Sequence, residues 1–135
     1  MMRYAALNFE LPKVIERVYQ QGARVIVDYA KENCRPSEAP DILARTNVMT
    51  NALPVDALCA IKLTSFGSRH NPGYAQRCAQ SVIETAKRRG VRVLIDAEDV
   101  LYSDMCLELM RIYNTPGVPP TVYKTYQMYR IGAVR

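Results

Sequence analysis

The chain has 135 residues, of which 49% are apolar and 23% are charged, and its formal net charge is +5. These values exclude a largely disordered chain and are typical of one globular domain. No apolar run in the sequence approaches the roughly 18 residues that a membrane-spanning helix needs. The basic residues form no aromatic-and-basic nucleic-acid motif, so we expect no nucleic-acid partner.

The cysteine pattern and the start of the chain carry little functional information. The four cysteines are isolated, without a CxxC pair, and His70 is the single histidine. We therefore expect no metal site and interpret the cysteines as reduced thiols in a reducing compartment. The first residues lack a convincing signal or transit peptide, so no targeting segment is predicted.

The first third of the chain alternates between helical and strand patterns. Leu11–Gly22 has apolar residues at helical spacing and a proline in its first turn, which predicts a helix. Arg24–Tyr29 is predicted to be a strand, with Asp28 near its end. Pro40–Ala52 is predicted to be the next helix, beginning near Ser37.

The pattern repeats in the middle of the chain. Ala57–Leu63, with the sequence ALCAIKL, is predicted to be a second buried strand that carries Lys62 near its end. Tyr74–Arg89 keeps its apolar residues on one helical face and is followed by Gly90, which predicts a helix with a glycine stop.

The stretch Val91–Glu98, VRVLIDAE, is a short and nearly continuous run of β-formers that ends in two acids. Such a run is typical of a parallel strand buried on both faces, and it places Asp96 at the strand end. We interpret Glu98 as a solvated acid or as the start of the following helix. That helix is predicted at Tyr102–Tyr113, with Met105, Leu109 and Ile112 inward, and a fourth strand at Thr121–Tyr126.

The strand ends recur at a nearly constant interval. Asp28, Lys62, Asp96 and Tyr126 are separated by 34, 34 and 30 residues, the size of one strand-plus-helix unit. Right-handed crossovers bring the carboxyl ends of parallel strands to one edge of a sheet. We therefore expect seven residues to converge at that edge: Asp28, Glu32, Lys62, Asp96, Glu98, Tyr126 and Gln127.

The repeat predicts an α/β fold and leaves two architectures open. Four parallel βα units form half of a (βα)₈ TIM-type barrel, which needs eight strands to close. The same units can instead form an open, doubly wound sheet with helices on both faces.

Four motifs together resemble the proline dehydrogenase family, and they follow one another with matching order, spacing and strand context. They are DYAKEN at Asp28–Asn33, AIKLTSFG at Ala60–Gly67, VRVLIDAE at Val91–Glu98 and TYQMY at Thr125–Tyr129. The TYQ form is similar to the eukaryotic-type branch. The resemblance implies one partial barrel domain over residues 1–135, with FAD at the strand ends. It also implies oxidation of L-proline to Δ¹-pyrroline-5-carboxylate, with a quinone as electron acceptor.

The resemblance assigns roles to residues of the first three motifs. It makes Lys62 the lysine beside the substrate carboxylate and the flavin, and Asp96 the aspartate that lines the proline pocket. These two are the predicted catalytic residues. Glu32 is the first-strand acid that pairs with a carboxylate-binding arginine in the family, so Glu32, Lys62 and Asp96 are the predicted substrate-binding residues.

The fourth motif supplies the predicted cofactor contacts, which are Lys124, Tyr126 and Gln127. Lys124 stands where the family has Gln or Asn, an amide that touches the flavin. The family motifs of the second barrel half, with their arginines, are absent from the given sequence. We therefore expect the 135-residue chain by itself neither to retain FAD nor to oxidise proline.

Two further interpretations stay open. The chain can be a catalytically inactive half-barrel that acts as an interaction or assembly module and forms a homodimer through its open sheet edge. It can also be a small doubly wound binding domain, although it lacks a glycine-rich phosphate loop. The resemblance implies a mitochondrial inner-membrane or matrix location for a eukaryotic protein, and a cytoplasmic one otherwise.

Overall fold

A computed structural model describes residues 10–29, 31–98 and 102–126. In these ranges, helices alternate with strands of one parallel sheet. The helices are α1 (Leu11–Gln20), α2 (Ala39–Ala52), α3 (Pro72–Arg89) and α4 (Ser103–Tyr113). The strands are β1 (Ile26–Asp28), β2 (Leu58–Ile61), β3 (Arg92–Ile95) and β4 (Val122–Lys124).

The predicted elements are confirmed, and the strands are shorter than the apolar runs that predicted them. The second run ends its strand at Ile61, because Leu63–Phe66 turns into a 3₁₀ helix that the sequence did not reveal. Helix α3 begins at Pro72, two residues before the predicted Tyr74. The side chain of Asn71 caps it by accepting a hydrogen bond from the Tyr74 N–H at 3.1 Å.

The strand order β1-β2-β3-β4 follows the chain. Right-handed crossovers between strands in sequential order place all the connecting helices on one face of the sheet. A doubly wound sheet instead reverses its strand order so that helices cover both faces. The order therefore favours the half-barrel and contradicts the doubly wound architecture.

The main hydrophobic core lies on the helix-facing side of the sheet. On that side, β2, β3 and β4 contribute buried side chains. Helix α3 packs there through the apolar face that the sequence predicted. The strand residues are Cys59, Ile61, Val93, Ile95 and Val122, and the α3 residues are Ala75, Cys78, Ala79, Val82, Ile83 and Ala86. All four cysteines are buried and free.

Among the described residues the opposite face of the sheet is open, which corrects the prediction of strands buried on both faces. Residues of β2 and β3 alternate between half-buried and buried, and Ile26 on β1 is 57% exposed. In a closed (βα)₈ barrel this face of the sheet is the interior.

Helix α4 packs as predicted through Leu109, which is buried, and through Met105, which is partly buried against the core. Cys106 and Leu109 are its buried residues, whereas Ile112 is 44% exposed, so its predicted inward position is wrong. Cys106 and Ile112 both lie at helical spacing from Leu109, and only the docking of α4 beside β4 decides which of them is buried. No helix in the described ranges is long and apolar enough to cross a lipid bilayer.

Candidate active site

Lys62 is the centre of a charge cluster at the carboxyl edge of the sheet. Its ammonium lies 2.5 Å from Asp96 Oδ2 and 3.3 Å from Glu32 Oε1. The Lys62 side chain is 13% exposed, against 39% for Asp96 and 58% for Glu32. Three consecutive βα units thus bring together the three predicted substrate-binding residues, although the roles of these residues stay predictions.

The strand register explains why Lys62 and Asp96 meet. Ile61 pairs with Ile95, and the Asp96 N–H donates to the Ile61 carbonyl at 2.9 Å. Paired residues of neighbouring strands point to the same face, so the next residue of each strand points to the opposite face. Lys62 and Asp96 therefore share the open face.

The two charges stabilise each other. Burial lowers the pKa of the Lys62 ammonium, but the hydrogen bond and charge of Asp96 outweigh it, so this pKa is raised. Burial raises the pKa of Asp96, but the hydrogen bond and charge of Lys62 outweigh it, so this pKa is lowered. At neutral pH Lys62 is consequently an ammonium, which can bind an anion but cannot accept a proton.

Asp28 lies on the same open face, one layer closer to the amino end of the sheet, where it pairs with Ala60. Burial raises the pKa of Asp28, the Lys62 charge opposes this, and the carboxylates of Asp96, Glu32 and Glu98 reinforce it. The predicted convergence is thus confirmed for these residues. Asp28 and Asp96 have pKa values displaced in opposite directions.

Glu98 has a specific partner, so the prediction of a solvated or helix-start acid is wrong. Its carboxylate accepts hydrogen bonds from the Thr64 N–H at 3.0 Å and from the Thr64 hydroxyl. Thr64 lies in the 3₁₀ turn that directly follows Lys62. Glu98 therefore anchors the backbone next to the lysine.

The same turn is fixed from the other side by the loop that follows β1. The Thr64 carbonyl accepts from the Cys34 N–H at 2.9 Å, and the Ser65 hydroxyl donates to the Lys31 carbonyl. The pairs Lys31–Ser65, Lys62–Asp96 and Thr64–Glu98 all span 34 residues. The repeat that the sequence predicted is therefore also the spacing of the contacts.

Lys124 and Tyr126, two of the three predicted cofactor residues of the fourth motif, do not join this cluster. Lys124 pairs with Ile95 and so faces the helices, where its ammonium donates to the Ser103 hydroxyl. The same ammonium lies 4.9 Å from the centre of the Tyr126 ring. Gln127 lies outside the described residues, and the cofactor role of all three residues stays a prediction.

Thr125, and not the predicted Tyr126, lies beside Asp96 at this edge of the sheet. Its hydroxyl donates to Asp96 Oδ1 at 3.1 Å and accepts from the Ala97 N–H at 2.5 Å. The register of β3 and β4 gives an offset of 29 residues, so Asp96 is level with residue 125. Counting alternate residues from the apolar Val122 could have revealed this, because Val122, Lys124 and Tyr126 share the other face.

Comparison with known proteins identifies the family of the chain. The family model for proline dehydrogenase matches residues 11–134. The chain belongs to the proline dehydrogenase family. A search of curated protein sequences found no match.

Among solved structures, the chain is similar to proline utilization A (PutA) from Bdellovibrio bacteriovorus, crystallised after inactivation by N-propargylglycine. The TM-score is 0.71 at 15% identity, over 93% of this chain and 16% of that chain. The likeness shows a common fold, so the half-barrel prediction is confirmed. The chain spans only about 16% of the length of that structure.

The proline dehydrogenase family is generally FAD-dependent, and the described residues fit one part of that cofactor. Ala60 and Leu94 are paired, half-buried residues of the open face, and Lys62 lies beyond them at the edge. This apolar floor with a cation at its rim suits the planar flavin ring. Neither Lys62 nor Lys124 is available to bind the pyrophosphate of FAD. Lys62 is paired with two carboxylates, and Lys124 donates to the Ser103 hydroxyl.

Proposed function

We propose that this chain supplies the first four βα units of an FAD-dependent proline dehydrogenase barrel, which oxidises L-proline to Δ¹-pyrroline-5-carboxylate. The observation that supports this is the ion-paired Lys62 on the open face of the sheet. It lies at the carboxyl ends of the strands, where barrel enzymes have their active sites. Membership of the family provides the reaction class.

The reaction removes two electrons and two protons from the proline ring. A hydride leaves Cδ and a proton leaves the nitrogen, and a C=N double bond forms between them. When bound, FAD would supply the acceptor of this hydride, and a quinone would be the final acceptor of the electrons.

Within this scheme Lys62 binds the substrate carboxylate, because Asp96 keeps its ammonium charged and fixed in place. Glu32 is the outer carboxylate of the cluster. One ammonium shared by two acids provides a weak anion site, since strong carboxylate binding uses bidentate, hydrogen-bonded cations. The other barrel half must therefore contribute further cations to the proline pocket.

The test is reconstitution. The purified chain alone should show no flavin absorbance and no proline-dependent dye reduction. Mixed with a separately expressed second half of a eukaryotic-type family barrel, it should bind flavin and gain activity. Lys62→Met should lower that activity at least about tenfold, by loss of a charge-assisted contact.

The matched control is Arg45→Met, which breaks the exposed pair of Arg45 and Asp41 on helix α2 and should leave the activity unchanged. A folded complex that binds flavin but does not oxidise proline would contradict the proposed function. Full activity of the Lys62→Met complex would contradict the role of Lys62.

A second candidate function is that of a catalytically inactive half-barrel that assembles with another copy of itself. The observation in its favour is the open face, on which Ile26 is 57% exposed. In the described residues, β1 and β4 are the outer strands, and each presents an edge that another chain can pair with. Two copies would together supply the eight strands of a barrel.

A further inference from the structure

Thr125 binds three consecutive residues at the end of the neighbouring strand β3. Its N–H donates to the Ile95 carbonyl at 3.1 Å, and its hydroxyl donates to Asp96 Oδ1 at 3.1 Å. The hydroxyl also accepts from the Ala97 N–H at 2.5 Å. One residue after β4 thereby fixes both the backbone and the side chain around Asp96.

The direction of the Thr125 hydroxyl proton follows from its partners. A hydroxyl has one proton to donate, and the Ala97 N–H occupies one of its lone pairs. An ionised carboxylate can only accept, so the proton points at Asp96 Oδ1. Asp96 Oδ2 accepts from Lys62, and both carboxylate oxygens are therefore held by a donor.

We propose that Thr125 is a positioning residue, which fixes the Asp96 carboxylate and, through it, the Lys62 ammonium. The contact itself is independent of the reaction, whereas its importance for proline oxidation rests on the proposed function. Without the hydroxyl, Asp96 Oδ1 loses its donor, and the carboxylate can rotate about its terminal bond away from Lys62.

Substitutions at Thr125 can distinguish the effect of its hydroxyl on Asp96 from the effect of the nearby charges. The charged groups that share this edge with Asp96 are Lys62, Glu32, Asp28 and Glu98. Thr125→Val keeps the branched shape and changes none of these charges. Thr125→Ser keeps the hydroxyl and removes only a methyl group, so it is the matched control.

The direct measurement is a carbon-detected NMR titration of the Asp96 carboxyl in the purified chain. We expect the pKa of Asp96 to rise in Thr125→Val, because a donor to its ionised form is lost. Thr125→Ser should keep the wild-type titration. An unchanged Asp96 titration in Thr125→Val, or an equal change in both variants, would overturn the proposal.

One measurement on the wild-type chain keeps the proposal testable even if Thr125→Val does not fold. In the wild-type chain, the Thr125 hydroxyl proton should exchange slowly with water and lie close to the Ala97 amide proton. Its absence from the spectrum would refute the hydrogen bond. In the reconstituted barrel, Thr125→Val should lower kcat/KM about tenfold and Thr125→Ser by less than about twofold.

The NMR titration needs no turnover, so its outcome is separate from that of the proposed function. If the reconstituted barrel does not oxidise proline while Asp96 responds to Thr125→Val, the reaction is wrong and the positioning contact stands. If proline is oxidised and Asp96 does not respond, the positioning role fails while the reaction stands.

Discussion

Lys62 and Asp96 form the ion pair that defines the site, and their pKa values set the pH range in which it stabilises the fold. The pKa of Asp96 is lowered, so its contribution is complete above its unfolded value of about 3.9 and is lost as the pH falls through the folded value. The pKa of Lys62 is raised, so its contribution is complete below about 10.4 and is lost as the pH rises through the folded value. The pair is thus fully effective at neutral pH.

The substitution Lys62→Met tests the pH range in which the ion pair stabilises the fold. At pH 7 it leaves the Asp96 carboxylate without its cation, and we expect a loss of about 1–2 kcal/mol in unfolding free energy. The value is modest because Asp96 is 39% exposed and water screens its charge. The difference from wild type should shrink at pH 3, which lies below the unfolded pKa of Asp96 of about 3.9. Urea unfolding at both pH values measures it.

The control for this experiment is again Arg45→Met. The pair of Arg45 and Asp41 is exposed on both sides, so its removal should change the unfolding free energy less than Lys62→Met does. An equal loss in the two variants, or a Lys62→Met loss that is the same at pH 3 and pH 7, would refute the interpretation of Lys62 and Asp96 as a stabilising pair.

At the scale of elements, the 3₁₀ turn Leu63–Phe66 connects three consecutive βα units. Its backbone and side chains bind the loop after β1 through Cys34 and Lys31, and the end of β3 through Glu98. The turn ends at Gly67, which has φ +74 and lies against Pro36, the first residue of the 3₁₀ turn before α2. The lysine is thus presented by a segment with partners on both sides.

Gly67→Ala should therefore be more damaging than Gly22→Ala, although both glycines have positive φ. The left-handed conformation costs alanine about 1 kcal/mol at either position. At Gly67 the new Cβ would also lie 2.8 Å from the Pro36 backbone nitrogen, whereas nothing lies within 4 Å at Gly22. We expect Gly67→Ala to lose roughly 1–3 kcal/mol more than Gly22→Ala, by overpacking.

Urea unfolding of the two glycine variants, with amide exchange at Thr64 as a local readout, measures the difference. Protection of the Thr64 amide should fall in Gly67→Ala, because the turn must move away from Pro36 and Glu98. Equal unfolding free energies for the two variants would contradict the close approach of the turn to Pro36.

At the scale of the whole molecule, residues 10–29, 31–98 and 102–126 form a sheet that helices cover on one face and that these residues leave open on the other. A closed barrel would bury the open face, so the isolated chain leaves apolar side chains such as Ile26 in water. In the second candidate function, another copy of the chain covers this face. Association should then increase with protein concentration and should require the apolar residues of the open face.

Sedimentation of the purified chain tests this prediction. If the chain self-assembles, we expect a species of twice the 15.3 kDa chain mass, and its fraction should rise with protein concentration. Ile26→Lys should abolish it, because a charge is then placed in the interior of the paired barrel. Val48→Lys, at a 71% exposed position of helix α2, should leave association unchanged. A wild-type chain that is monomeric at every concentration would exclude self-assembly.

The sequence by itself determined the order of helices and strands, the repeat of about 34 residues, the family, and the meeting of Lys62 with Asp96. These depend on apolar periodicity and on motif spacing, which are properties of short segments. The sequence could not decide between residues that fit a helical pattern equally well. Cys106 and Ile112 both lie at helical spacing from Leu109, and only Cys106 faces the core.

The tertiary structure alone decided the strand register, the open face and the partners of the acids. A slip of one residue in β4 exchanges Thr125 for Tyr126 beside Asp96, because successive side chains of a strand point to opposite faces. Whether a strand is buried on its second face depends on which other strands lie across the barrel, and the sequence of the strand itself does not show this. Glu98 finds Thr64 across 34 residues of chain, and no local pattern records a contact that only the packed sheet creates.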